Sequence, residues 1–141
     1  MRYGSRSLAL ALGAAALLGA TVPAAPGADV TVVAKNVRND RGVVRGCRTP
    51  VQDRFPNCDD PARSYKAVGH AADTVTIVFR DIPPGRYAVA LLHDENNNGK
   101  ADRAMGMMPK EGYGFSRDAP VRMAPPKFKD AVLQIGESVM R

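Results

Sequence analysis

Between His93 and Asp102 the chain reads His-Asp-Glu-Asn-Asn-Asn-Gly-Lys-Ala-Asp, with side-chain oxygens at Asp94, Asn96 and Asn98, a glycine at Gly99 and a carboxylate at Asp102. A hard dication collects oxygens from carboxylates, amides and carbonyls, and a calcium loop supplies them from alternate places ahead of a sharp glycine turn. Counted from Asp94, oxygens fall at places one, three, five and nine, Gly99 at place six, and Lys100 offers its carbonyl at place seven. Place twelve is Met105, where the helix-loop-helix form of such a loop has a bidentate glutamate. The residues therefore fit a weak calcium site built from Asp94, Asn96, Asn98, Lys100 and Asp102. They fit as well an Asx-rich turn, in which the side chains cap backbone N–H groups and Asn98-Gly99 turns left-handed.

A second stretch, Pro109-Lys110-Glu111-Gly112-Tyr113-Gly114-Phe115-Ser116, sets two aromatic rings among glycines that allow a sharp bend. Glu111, Tyr113 and Phe115 could form a recognition surface beside the Asp/Asn loop. The rings could equally pack over an open end of a β-structure, with Met105, Met107 and Met108 filling the core nearby. His93 and His70 are too few for zinc, which wants more nitrogen or sulfur donors than the chain holds, and each reads as a hydrogen-bonded structural residue. No nucleophile elbow, phosphate loop, zinc-protease motif or dinucleotide glycine pattern occurs. A carboxylate pair such as Asp94 and Glu111 could do acid-base work only if folding brought the two into a cleft.

The start of the chain bears on where this chemistry operates. Arg2 and Arg6 precede an apolar run from Ser7 to Ala20, and a small-residue tail from Thr21 to Ala28 follows. That is the plan of a secretory signal over residues 1–28, with cleavage expected between Ala24 and Ala28. The apolar run is shorter than the roughly 20 residues a membrane-spanning helix needs. A single domain over 29–141 remains, with formal charge falling from +6 to +4 once Arg2 and Arg6 are removed. No dense basic tract with interleaved aromatics points to nucleic acid. Cys47 and Cys58 stay in the mature chain, and in an oxidising compartment a pair this close is expected to form a disulfide.

The elements that must position these groups are short and alternate with period two. Asp29–Val37 and Gly42–Arg48 read as a hairpin around the turn residues Asn39-Asp40-Arg41-Gly42. Thr49–Tyr65 reads as a proline-rich loop anchored by Phe55, and Tyr65–Val68 as a short strand. Thr74–Arg80 places Val75, Ile77 and Phe79 on one face. Arg86–His93 is apolar on both faces, which belongs in the middle of a sheet, and it delivers the Asp/Asn loop at its end. Val121–Ala124 and Phe128–Ile135 are expected to supply the last strands, and no segment shows capped helical periodicity. The expectation is an all-β fold, an antiparallel β-sandwich of about seven strands in the immunoglobulin-like or transthyretin-like manner.

HDENNNGKAD followed by PKEGYGFS, behind a PPGRYAVA strand and a signal-like start, resembles the bacterial family of unknown function DUF2141 over essentially the whole mature chain. Asp94, Glu95, Asn96, Asn98, Gly99, Lys100 and Asp102 match the family's loop one for one, and Glu111 to Ser116 match its second motif. Where family members often continue with asparagines, this chain has Arg117-Asp118, and its C-terminus after Ile135 is short. The resemblance implies a secreted or periplasmic β-sandwich and no assigned activity. The expected function is an exported, non-enzymatic module that binds an envelope or extracellular partner through its loop end. A carrier of a small apolar ligand, with a pocket near the methionines and Tyr113, is the alternative, and a small hydrolase the third.

Overall fold

The computed structural model describes Pro23, residues 26–105 and residues 108–136. The expected signal segment lies almost wholly outside the described residues, as does Met107. The first strand, β1, is Ala28–Lys35, and it pairs antiparallel with β4, Thr74–Ile82, in a two-stranded sheet. A larger sheet has β3 (Tyr65–His70), β2 (Val43–Thr49), β5 (Gly85–Asp94) and β8 (Gly112–Phe115) side by side, with β9 (Leu133–Ile135) also on β5. Two-residue strands β6 (Arg103–Ala104) and β7 (Met108–Pro109) make a small ribbon beyond the Asp/Asn loop. Among the described residues the only α-helical segment is one turn, α1, Phe128–Ala131, so the fold class is all-β. No helix among them is long and apolar enough to cross a membrane.

Alternation along β4 and β5 decides how the layers meet. Val75, Ile77 and Phe79 of β4 are buried while Thr74, Thr76 and Arg80 are exposed. They pack with Ala34, Val44, Tyr87 and Val89, so the β1–β4 pair closes over the inner face of the larger sheet. Each such side chain, fully buried, stabilises by roughly 1.5–3 kcal/mol. The opposite face of β5 has its own smaller core, in which Ala88 meets Ala119, Phe128 and Ala131, with Phe55 and Phe115 against them. Phe55 meets the rings of Phe115 and Phe128 edge-on at 5.7 and 6.1 Å, the arrangement that the ring quadrupoles favour. Phe55 is thus the apolar anchor of the proline-rich loop, as its sequence position implies.

β5 is the central strand. Along one edge it pairs with β2 from Val43↔Asp94 to Thr49↔Ala88. Its other edge is shared: β8 takes Ala90 to His93 and β9 takes Gly85 to Tyr87. The ladder is interrupted between them, and Ser116 fills the gap. Its Oγ accepts the Val89 N–H at 2.9 Å and donates to the Ala131 carbonyl, so a side chain satisfies backbone groups that a strand would otherwise take.

Three expectations need correction. Asp29–Val37 and Gly42–Arg48 do not form a hairpin: β1 pairs with β4, and β2 with β3 and β5. Asn36 leaves β1 with φ 58° and redirects the chain from one layer to the other. Val121–Ala124 is not a strand, and Phe128–Ala131 is a helical turn in which Phe128 and Ala131, three apart, are buried on one side. Only Leu133–Ile135 of that segment extends. Finally, Gly112–Phe115 does not bend sharply but runs straight as β8.

Candidate functional site

Asp94 ends the central strand and is fully buried, and its carboxylate organises the loop that follows. Oδ1 accepts the Asn98 N–H at 3.0 Å, and Oδ2 accepts the Gly99 N–H at 2.8 Å and Arg45 Nε–H at 2.6 Å. Arg45 stands on β2 and reaches further, donating from Nη2 to Asn97 Oδ1 at 2.6 Å. Asn96 and Asn98 accept backbone N–H groups two residues on, from Asn98 and Lys100, and their amides donate to Asp102 at 2.7 to 3.1 Å. These are Asx turns. The left-handed residues are Asn97 (φ 55°) and Gly99 (φ 77°), so Asn97 takes the position expected of Asn98. Of the expected calcium ligands, Asn96, Asn98 and Asp102 meet through their side chains, while the Asp94 carboxylate is taken by Arg45 and two backbone N–H groups. Lys100 is exposed on the outside of the turn.

Glu111, just before β8, is buried and clamps both ends of the loop. Its Oε1 accepts the Glu95 N–H at 3.1 Å and its Oε2 the Asp102 N–H at 3.0 Å. Its carboxylate therefore positions the loop. On the other side, Arg38 and Arg41 both donate to Glu95, Arg41 at 2.6 Å, and Arg38 also reaches the Lys110 carbonyl at 2.6 Å. Together with Asn39, Asn96 and Asp102 these groups line an open, mixed-charge cleft of ≈ 590 Å³. His93 is buried beneath, its Nε2–H donating to the Arg41 carbonyl at 2.8 Å, a structural role. At Gly42 (φ 69°) a Cβ would collide with the Asp94 carbonyl, so only glycine lets the β2 approach lie this close to the loop.

Charge follows the hydrogen bonds. Burial, the largest single influence, pushes the Asp94 carboxyl up, but the Arg45 hydrogen bond and the Gly99 and Asn98 N–H groups together hold it below its usual range. The Arg38 hydrogen bond, opposed by partial desolvation and aided by the charge of Arg41, likewise holds Glu95 low. Both are committed anions and so are poorly suited to deliver a proton at neutral pH.

The loop also walls a second recess, of ≈ 670 Å³, on the outer face of the larger sheet. Cys47, Ala90, Leu92, Tyr113 and Phe115 form its floor. Gly99, Ala101, Arg103 and Pro109 come from the loop and the β6–β7 ribbon, and Val121 to Pro125 from the segment after β8. Cys47 and Cys58 form a disulfide with a Cα–Cα distance of 6.2 Å, which pins the proline-rich loop beside that floor. Met123 is fully exposed, Val121 48 % and Tyr113 37 %, an apolar lip without cover among the described residues. Tyr113 thus lines a binding-size recess, whereas Phe115 divides between this floor and the aromatic cluster with Phe55.

The residues missed from the sequence are the arginines and Gly42. Arg45 is one of many surface-compatible arginines until the register Val43↔Asp94 puts it within reach of the loop. Nothing local marks it.

Residues 32–141 match the DUF2141 family, described as an uncharacterized protein conserved in bacteria. No curated protein matches the chain, and no solved structure does.

Proposed function

The chain belongs to the DUF2141 family, and from that premise we propose that it is an exported, non-enzymatic β-sandwich module of the periplasm or extracellular space. It binds an envelope or extracellular partner with the end of the molecule shaped by Asp94–Asp102. The signal-like start and the Cys47–Cys58 disulfide support export. The observation that carries binding is the Glu111 clamp, one carboxylate holding the N–H groups of Glu95 and Asp102 from the two ends of the loop. A surface held in one geometry before contact loses little entropy on association. Asp94 and Glu95 are held as hydrogen-bonded anions, which suits a scaffold better than an acid-base catalyst.

A weak calcium ion at Asp94, Asn96, Asn98 and Asp102 is no part of this proposal. In favour of an ion, the Asn96 and Asn98 side chains both meet Asp102. Against it, both Asp94 oxygens already accept N–H donors and Arg45 supplies the opposing charge, so the turn stands on its own hydrogen bonds.

A photo-crosslinking amino acid placed at Asn96 or Lys110, and as a control at Arg80 toward the far end of β4, tests the loop-end surface in cells exporting the protein. Adducts from the two loop-end positions alone are the expected result. Adducts from Arg80 alone, or none from either loop position, would remove the proposal.

The second reading, a carrier of a small apolar ligand, is favoured by the ≈ 670 Å³ recess beside Tyr113 and Met123. A neutral apolar fluorophore that brightens with the native domain, and loses the signal with Leu92→Glu, is its test.

A further inference from the structure

We infer that the recess on the outer face of the larger sheet takes a single-chain anionic amphiphile, a free long-chain carboxylic acid, with its chain on the floor and its headgroup at the rim. The inference rests on the carrier reading and adds the ligand's charge and shape. Four cationic side chains line the recess, Arg45, Lys66, Arg103 and Arg122, and no carboxylate does among the described residues. Arg45 is engaged by Asp94. The other three enter no ion pair among the described residues, whereas Arg38, Arg41, Arg54, Arg63 and Arg80 each have a carboxylate. Three unpaired cations around one apolar floor repel one another and attract an anion.

The floor decides what carries that anion. Cys47, Ala90, Leu92 and Phe115 offer apolar surface, and ≈ 670 Å³ falls within the range of small-molecule sites. An acidic peptide fits less well. The floor strands β2 and β5 are both paired on each edge, and only the four-residue β8 ends the floor with an open one, which offers an added strand few N–H and C=O groups. An alkyl chain needs no such partners, only burial against side chains.

The test uses the mature, oxidised domain with a dansyl-labelled undecanoic acid and its methyl ester, which share a chain and differ in charge. The acid is expected to bind about tenfold more tightly than the ester, as a net gain from rim cations implies. Raised salt should shrink that preference. The triple variant Lys66→Gln, Arg103→Gln, Arg122→Gln should bind acid and ester alike, with ester affinity unchanged, which also shows that the fold survives. Equal binding of acid and ester to the unaltered domain overturns the charge inference and leaves the carrier reading standing. Binding of neither removes both. Binding to anionic phospholipid vesicles without binding of the free acid also overturns it, because the cations would then serve a membrane surface.

Discussion

Arg45 Nε lies 2.6 Å from Asp94 Oδ2, a pair between the second strand and the end of the central strand in which the carboxylate is fully buried and the guanidinium one-third exposed. Substituting Asp94 by alanine leaves the Gly99 N–H without its acceptor, strips Arg45 of its charge partner and leaves the Asn98 N–H only Asn96 Oδ1. The expected cost is roughly 3 kcal/mol, measured by urea unfolding. The pair also sets an acid dependence. Since the Asp94 carboxyl is held low in the folded chain, its contribution is complete above the ordinary carboxylate range. It is lost as the pH falls below that range through the folded value. The unfolding free energy of the unaltered domain should therefore drop in acid more steeply than that of Asp94→Asn. Parallel curves would show that Asp94 is not the group responsible.

Glu111 is expected to matter by holding the loop, not by touching a partner. Glu111→Ala removes the acceptor of two part-buried N–H bonds and should cost about 2–3 kcal/mol. Amide exchange at Glu95 and Asp102 should accelerate more than at Val89 or Ile77. Glu111→Gln keeps one acceptor oxygen and should fall between. Uniform acceleration across the domain would mean a global loss of stability and no specific clamp.

Calcium should change little. With the Asp94 oxygens occupied by Arg45 and two N–H groups, the melting temperature of the mature domain in millimolar calcium and in chelator is expected to coincide. A rise of several degrees with calcium, abolished by Asn98→Ala, would instead put an ion in the loop and require the Asn96 and Asn98 amides to turn their oxygens inward.

Arg48 is fully buried, its guanidinium carbon 4.0 Å from the Tyr65 ring centre and 3.8 Å from that of Tyr87. Its three guanidinium nitrogens have no hydrogen-bond partner among the described residues. Stacking on two rings gives roughly 2 kcal/mol or more per desolvated contact, and it depends on a flat, delocalised cation. Arg48→Lys should therefore destabilise by about 2 kcal/mol. Arg48→Met, similar in length and uncharged, should be neutral or stabilising, because it also removes a buried charge. If methionine proves worse than lysine, the charge has a partner that stacking does not explain.

Two kinds of information divided the work of specifying this molecule. The sequence alone determined the all-β class, the doubly apolar central strand from Arg86 to His93, the inward set Val75, Ile77 and Phe79, the Cys47–Cys58 pair and the existence of an oxygen-rich turn after His93. Those follow from side-chain period and local composition, which act over a few residues. Alternation says which face of a strand is buried, however, and not which strand lies beside it, so β1 could be assigned to β2 when its partner is β4. The same limit hid the site. Arg45 reaches Asp94, and Glu111 the N–H groups of Glu95 and Asp102, only because β2 and β8 flank β5 in one register, and a slip by one residue would turn Arg45 to the opposite face. Only the tertiary structure decided that the loop is held by an arginine and a distant glutamate, and that its outer wall borders a cationic, apolar recess.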